Sequence, residues 1–494
     1  MYIVPVKRHA GEPGHTPHTG HTRVTAHGPH AGAQGHTDHT DEPHNQPNPP
    51  THNPHVSATT EGRGRLCAGM CFVEPLFIGV KARFSMRVSR SFARAMTRLS
   101  TRASLLASGS GAAAQTWETL NALAARPGMV NMSQGLPDFE GSAVARRVAA
   151  AAIAGGTAAL NQYSPQPGLL DLRLAVAAFV ERRYGAVYDA ASEVVVTAGG
   201  QEVLAAAMLA FLDPGDEVII FEPCYPFMLG AIRQAGAVPR VVTLRAPGFE
   251  ICAEALRDAC ASPRAKMLVL NSPHNPTGHV VTASELRLIT DLCQQHDLIG
   301  LSDEVYEHCI FPHSDCTHLQ LASQPGMRER TITFGSGGKL FALTGWRVAW
   351  AYGPASLVRP LGASHTHLTF NAPTPLQAGI AAALREDDSE LSNVASLFGS
   401  NFERLATALR KGTAVRSICE AQGGYFLVAQ TPEGMTDVEF CRRLAEDKGV
   451  ICTPLSVFYA TPFKADGSEP CRLVRFTICK SRAYIDRACE ALLR

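Results

Sequence analysis

The pattern of hydrophobic and polar positions divides this chain near residue 104. Beyond it, short apolar runs alternate with helical stretches, separated by turns. Glu193-Val194-Val195-Val196-Thr197 is rich in β-branched residues and predicts a strand. Ala198-Gly199-Gly200 predicts a tight turn, and Gln201 onward an apolar helix to about Leu212. Asp213-Pro214-Gly215-Asp216 is a turn, and Glu217-Val218-Ile219-Ile220-Phe221 the next strand. Residues 266–270, 298–302, 331–335, 347–352 and 472–477 supply further strands, and helical patterning such as 283–296 separates some of them. This alternation predicts an α/β fold with a mostly parallel sheet and ligands at the strands' carboxyl ends.

Residues 1 to about 60 have another character. They are rich in His, Gly, Pro and Thr, with His15, His18 and His21 three apart and His27/His30 and His36/His39 repeating the step. Almost nothing there can form a core, so the segment is expected to be disordered. Its histidines have the means to capture metal, but a passive tail, or an upstream stretch not present in the working protein, is the reading taken. Arg87, Arg90, Arg94, Arg98 and Arg102 recur among serines with few acids, which resembles a mitochondrial transit peptide beginning at Met86. An ordinary basic helix or linker is the preferred reading.

Composition narrows the field. The 494 residues allow more than one domain, and 45% hydrophobic with 18% charged residues is ordinary for a globular enzyme. A net charge of +1 gives no electrostatic case for nucleic acid or an anionic membrane. No apolar run approaches the roughly 20 residues of a spanning helix. The 14 cysteines suggest no metal spacing and read as buried free thiols in a reducing, cytoplasmic compartment.

The run Thr333-Phe334-Gly335-Ser336-Gly337-Gly338-Lys339 places an amine just past a predicted strand, beside a hydroxyl and three glycines. A lysine there can form a Schiff base, and the small residues are expected to leave room for a phosphorylated ring. A P-loop needs glycine at 333 and Ser or Thr at 340, where Thr333 and Leu340 stand. A serine β-lactamase reading of Ser336-x-x-Lys339 lacks companion motifs and needs the lysine on a helix, not after a strand.

Three more strings accompany the lysine: Asn271-Ser272-Pro273-His274-Asn275-Pro276-Thr277-Gly278, Ser302-Asp303-Glu304-Val305-Tyr306 and Thr344-Gly345-Trp346-Arg347. In this order and spacing they resemble the pyridoxal-phosphate site of the class I/II aminotransferases, fold type I. The resemblance covers roughly residues 104 to 494. Residues 1–103 are, from their composition, expected to be a disordered extension and basic linker, and the resemblance implies a large cofactor-binding domain over 148–355 and a small α/β domain from 104–147 plus 356–494.

The resemblance also assigns roles. Lys339 is the Schiff-base lysine. Asp303 pairs with the ring nitrogen, although a helix N-cap would suit it too. Tyr306 and Asn275 meet the ring oxygen, and Asn275 also borders the substrate. Gly199, Gly200 and Gln201 at a helix start, with Ser336 and Arg347, hold the phosphate. Many relatives carry lysine at the position of Arg347. Tyr225, in Phe221-Glu222-Pro223-Cys224-Tyr225-Pro226, stacks on the ring or is a plain core tyrosine. Arg475, in Arg472-Leu473-Val474-Arg475-Phe476-Thr477, is a charge among apolar neighbours, expensive to bury unless paired. It matches the family's carboxylate-binding arginine.

Asn131-Met132-Ser133-Gln134-Gly135-Leu136-Pro137-Asp138-Phe139 resembles the strand whose glycine, Gly135, meets the substrate. Tyr163, in Asn161-Gln162-Tyr163-Ser164, matches a tyrosine that crosses to the neighbouring subunit's phosphate. A homodimer with shared sites and an inactive monomer are therefore implied. Gln-Gly-Leu-Pro-Asp-Phe, Phe-Glu-Pro-x-Tyr, Ser-Asp-Glu-Val-Tyr and His367-Leu368-Thr369-Phe370 lean toward kynurenine/glutamine and methionine aminotransferases.

The expected activity is transfer of an amino group between an amino acid and a 2-oxo acid. One candidate arginine for an α-carboxylate and no clear second favour neutral, aromatic or sulfur-containing L-amino acids. A cysteine-S-conjugate β-lyase is the alternative, since it shares cofactor and residues. A regulator with an aminotransferase-like domain would need a helix-turn-helix, which residues 1–60 cannot make.

Overall fold

The computed structural model describes Ser100, Thr116 and residues 118–155, 158–460 and 471–494. The His-rich tail, the arginine-rich stretch and the candidate start at Met86 lie outside the described residues.

The first strands are β1 (Val130–Asn131), β2 (Val194–Thr197), β3 (Glu217–Glu222) and β4 (Val238–Thr243). Next come β5 (Ala265–Asn271), β6 (Ile299–Asp303), β7 (Thr331–Ser336) and β8 (Ala349–Tyr352). The last are β9 (Ser417–Ile418), β10 (Phe426–Gln430), β11 (Val450–Ile451), β12 (Thr453–Pro454) and β13 (Leu473–Thr477).

A seven-stranded sheet runs in the order β2-β8-β7-β6-β5-β3-β4. Strand β8 is antiparallel to β2 and β7, and the other pairings are parallel. Its central strands read as continuous apolar runs because both faces are covered. Val218, Ile220, Met267 and Val269 enter one core cluster, while their alternates Ile219, Phe221, Leu268 and Leu270 enter another. The period of two along each strand thus feeds both layers.

Register then sets the site. Asn271 pairs with Asp303, and Asp303 with Phe334, so the carboxyl ends of β5 and β6 stand level while β7 runs on past them to Ser336. Helices follow the strands as their caps direct. Thr282 and Glu285 close a capping box on helix Ala283–Gln295, and Gly236 ends helix Pro226–Ala235 in the left-handed conformation.

Both chain ends build the remaining sheets. Strands β12-β13-β10-β9 form an antiparallel sheet, and β1 pairs with β11 in parallel. Helix Ser389–Gly412 packs on helix Arg482–Leu493. Helix Thr374–Leu384, however, packs on helices Ala143–Gly155 and Leu170–Tyr184, and helix Ala355–Leu368 packs on Gly200–Phe211. A domain division stays our proposal, and this packing favours drawing it after Thr374–Leu384 instead of at residue 355.

Candidate active site

A cavity of about 760 Å³ opens at the carboxyl ends of the large sheet. Of the residues expected at the site, Gly135, Gly200, Gln201, Tyr225, Asn275, Asp303, Tyr306, Ser336, Lys339, Arg347 and Arg475 line it. Gly199 stands directly behind Arg347. Tyr163 does not reach the cavity wall. It is 78% exposed and meets Phe370 edge-on, 5.2 Å between ring centres.

Lys339 lies in a one-turn helix, Gly337–Leu340, that begins where β7 ends. The expectation that it follows a strand instead of lying on a helix is corrected: both hold. The role read for the glycines also changes. A Cβ on Gly335 would come 2.9 Å from the Trp350 ring, one on Gly337 2.7 Å from Ile380, and one on Gly338 3.1 Å from the Thr344 backbone. The glycines admit the protein's own packing around the lysine more than they open space for a ring.

The Lys339 Nζ sits near two aromatic faces, 5.6 Å from the centre of Tyr306 and 5.2 Å from that of Tyr425. Burial lowers its pKa, while Cys479, Asp303 and Cys309 draw it back up and Arg475 adds to the lowering. A buried amine held toward neutrality is a nucleophile.

Asp303 closes β6, and no helix starts after it among the described residues, so the N-cap alternative falls away. Burial pushes its carboxyl up to about 7, against the Val305 N–H and the Lys339 charge, which favour the ionised form. Asn271 braces the turn: its Nδ2 donates to the Asp303 carbonyl at 3.0 Å, and its Oδ1 accepts from the Asn275 N–H at 2.7 Å. Tyr306 is buried beside it, and burial raises its hydroxyl pKa well above the usual value.

An anion cradle forms at helix Gly200–Phe211. Gly199 precedes it with φ 95°, and the first two residues of the helix, Gly200 and Gln201, line the cavity where a helix start leaves backbone N–H groups without intrahelical partners. Arg347, itself left-handed at φ 56°, brings its guanidinium against Gly199. Two sources of positive potential therefore converge.

Arg475 lies mid-strand in β13 and is 3% exposed. Its Nη1 donates to Asn275 Oδ1 at 2.9 Å and its Nη2 to the Ser133 carbonyl at 3.1 Å, while buried Nε has no partner. Phe426 and Phe458 sandwich the guanidinium at 3.8 and 4.3 Å from their ring centres. Burial pulls its pKa down to about 9, partly offset by Tyr306, Cys479 and Tyr225. A buried cation with only neutral acceptors is built to receive an anion.

Tyr225 precedes helix Pro226–Ala235 and lines the cavity, its ring 5.3 Å from Phe227. Gly135 comes so close to Phe426 that a Cβ would lie 2.7 Å from its ring. Sequence reasoning missed Tyr425, Phe426, Phe458 and the bracing role of Asn271. The three aromatics sit in apolar strings that read as core, so no local signal marks them.

Residues 127–492 match the family model for aminotransferase class I and II. The chain is 41% identical to the probable N-succinyldiaminopimelate aminotransferase of Mycobacterium tuberculosis, over 76% of this chain and 94% of that protein. It is 35% identical to the methionine aminotransferase of Escherichia coli and 32% to kynurenine–oxoglutarate transaminase 1 of Rattus norvegicus, with the same shares covered. The solved N-succinyldiaminopimelate aminotransferase structure from Mycobacterium tuberculosis matches with a TM-score of 0.70 at 39% identity, covering 76% of this chain and 96% of that one. With a buried lysine, an acid at the carboxyl end of a central strand and a helix start lining one cavity, the chain belongs to the class I and II aminotransferases, pyridoxal-phosphate-dependent transaminases of fold type I.

Proposed function

We propose that this enzyme moves the amino group of a neutral, aromatic or sulfur-containing L-amino acid to a 2-oxo acid, working through Lys339 as a cytoplasmic homodimer. Tyr163 supports the dimer, since an exposed tyrosine held edge-on against Phe370 suits a group that reaches a neighbouring subunit. Among the described residues no helix is long and apolar enough to cross a membrane.

The residues present fit the cofactor. The buried carboxyl of Asp303, raised to about 7, calls for a proton donor such as a ring N–H. The helix start at Gly200 and Gln201, with Gly199, Arg347 and the hydroxyl of Ser336, would hold the phosphate. Tyr225 would stack on the ring, and Tyr306 and Asn275 would flank its oxygen. When bound, pyridoxal phosphate supplies an electron-withdrawing ring that takes up the electron pair left as the substrate Cα–H bond breaks. Lys339 Nζ, kept toward neutrality by burial, accepts the proton that leaves Cα. Arg475 holds the α-carboxylate, and Gly135 and Asn275 border it.

The substrate class rests on one observation. Among the described residues, the cations lining the cavity are Lys339, Arg347 and Arg475, and only Arg475 is free of cofactor duty. Leu136, Phe227, Phe426 and Phe458 give the lining apolar surface beside the polar Gln134 and Glu118. The relatives above are named for methionine, kynurenine and N-succinyldiaminopimelate, and all for transfer, which favours transfer over β-elimination. Ranking kcat/KM over methionine, phenylalanine, kynurenine, glutamine, aspartate and glutamate tests the reading. Neutral donors should lead by about tenfold or more, the worth of one unpaired charge at a buried wall. Aspartate or glutamate in the lead would refute it.

A further inference from the structure

Tyr425 belongs to none of the roles above, yet it touches Lys339 at both ends. Its hydroxyl donates to the Lys339 carbonyl at 2.7 Å, and the Lys339 Nζ stands 5.2 Å from its ring centre. The first contact answers a local need, because a one-turn helix leaves its last carbonyls without donors of its own. In Gly337–Leu340, the Phe341 N–H serves the Gly337 carbonyl and the Leu343 N–H serves Gly338. The lysine's carbonyl draws its donor from 86 residues away. The second contact sets the negative face of a ring toward the amine.

Tyr425 is itself held firmly. It is buried, its ring lies 4.8 Å from Tyr306 and edge-on to Phe398 at 5.1 Å, and its carbonyl accepts from the Ile478 N–H at 2.8 Å. Just before it, the Gly424 N–H donates to the Cys309 carbonyl at 2.7 Å. A Cβ on Gly423 would come 2.4 Å from that carbonyl, so only glycine lets the chain lie flat there. The segment leading into β10 is thereby locked to the turn that carries Tyr306.

We propose that Tyr425 is a positioning residue for Lys339: its hydroxyl fixes the lysine's backbone, and its ring orients the amine and stabilises the protonated form. This rests on Lys339 being the lysine that carries the cofactor. Tyr306, Cys309, Asp303, Arg475 and Cys479 also face the amine, and the test leaves all of them unchanged.

The test compares Tyr425→Phe with Tyr425→Leu. Two quantities are read: kcat and KM of the holoenzyme, and the pH midpoint of Lys339 modification in cofactor-free protein. The midpoint comes from limited acylation followed by peptide mass spectrometry. Tyr425→Phe keeps the ring and loses the hydroxyl. Its kcat should fall about tenfold, the size of one hydrogen bond, with KM within about twofold and the midpoint unchanged. Tyr425→Leu should lower the midpoint by about half a unit or more, as the cation loses a ring face. A Phe variant within about twofold of wild-type kcat would overturn the proposal, as would a folded Leu variant whose midpoint does not fall. If the Leu variant does not fold, the Phe result alone decides. Lys339→Ala is run alongside. If it still attaches the cofactor covalently, the lysine assignment has failed rather than the role of Tyr425.

Discussion

The guanidinium of Arg347 occupies the space that a side chain on Gly199 would need: an ideal Cβ there lies 2.4 Å from its Nη2. Gly199 also has φ 95°, a conformation that L side chains rarely adopt. Gly199→Ala should displace Arg347 from the helix start and weaken pyridoxal-phosphate binding by about tenfold or more. Titrating the cofactor-free protein and following visible absorbance measures this. Unchanged affinity would contradict the cradle.

Arg475 combines burial, a free Nε and two aromatic faces. Arg475→Ala should raise KM for the amino donor by about a hundredfold, as expected for a lost buried charge contact of ~2–5 kcal/mol, and leave cofactor affinity unchanged. Arg475→Lys should recover only part of the loss, because an ammonium cannot offer the forked pair of donors. Steady-state kinetics with a cofactor titration separates the two effects.

Asp303 makes a pH prediction. Its carboxyl is raised to about 7 in the folded chain, against about 3.9 when unfolded. The folded cofactor-free protein keeps a proton that the unfolded chain releases. The group's contribution to stability is therefore full below about pH 4 and lost as pH rises through about 7. Asp303→Asn should flatten the fall in stability across that window relative to wild type. Urea unfolding of the cofactor-free proteins at stepped pH checks it, and superimposable pH curves would count against it.

Behind the cradle, Glu202 accepts from the Ala198 N–H at 2.5 Å and from Thr369 Oγ1 at 2.6 Å, and pairs with His365 Nδ1 at 2.7 Å. Burial pushes its pKa up, but the bonds from His365 and Thr369 outweigh this and hold it below the usual value. Glu202→Ala strips the carboxylate partner from buried His365 Nδ1 and from the Ala198 N–H, leaving His365 its Nε2 contact with the Gln166 carbonyl, so it should cost about 3 kcal/mol of stability. Denaturant unfolding reads this directly, and a loss below about 1 kcal/mol would show the pair to be dispensable.

The sheet was largely legible in the sequence because its central strands are bare apolar runs between turn residues. Boundaries moved where side chains hide the backbone pattern. Strand β6 runs on through Asp303, which looked like the residue after the strand, and β8 begins only at Ala349 because Arg347 is left-handed. The polar motifs converged on one cavity, as their order implied. What stayed hidden depends on long-range packing. Tyr425 reaches Lys339 across 86 residues, Phe426 meets Arg475 only when β10 pairs with β13, and Phe458, just past β12, only when β12 does. No local pattern encodes such contacts. Gly335 and Gly337 misled for the same reason, since Trp350 and Ile380 fill the space they leave.

The central claim is that Lys339 carries a cofactor that takes an amino group and gives it away. The most direct test is a visible spectrum of the purified holoenzyme during addition of a neutral amino acid without an oxo-acid acceptor. The expected result is a yellow band that bleaches once, with one equivalent of 2-oxo acid per site, and no such band attached covalently in Lys339→Ala. A band that persists while pyruvate and ammonia accumulate from a β-substituted cysteine, or a protein that stays colourless with added pyridoxal phosphate, would contradict it.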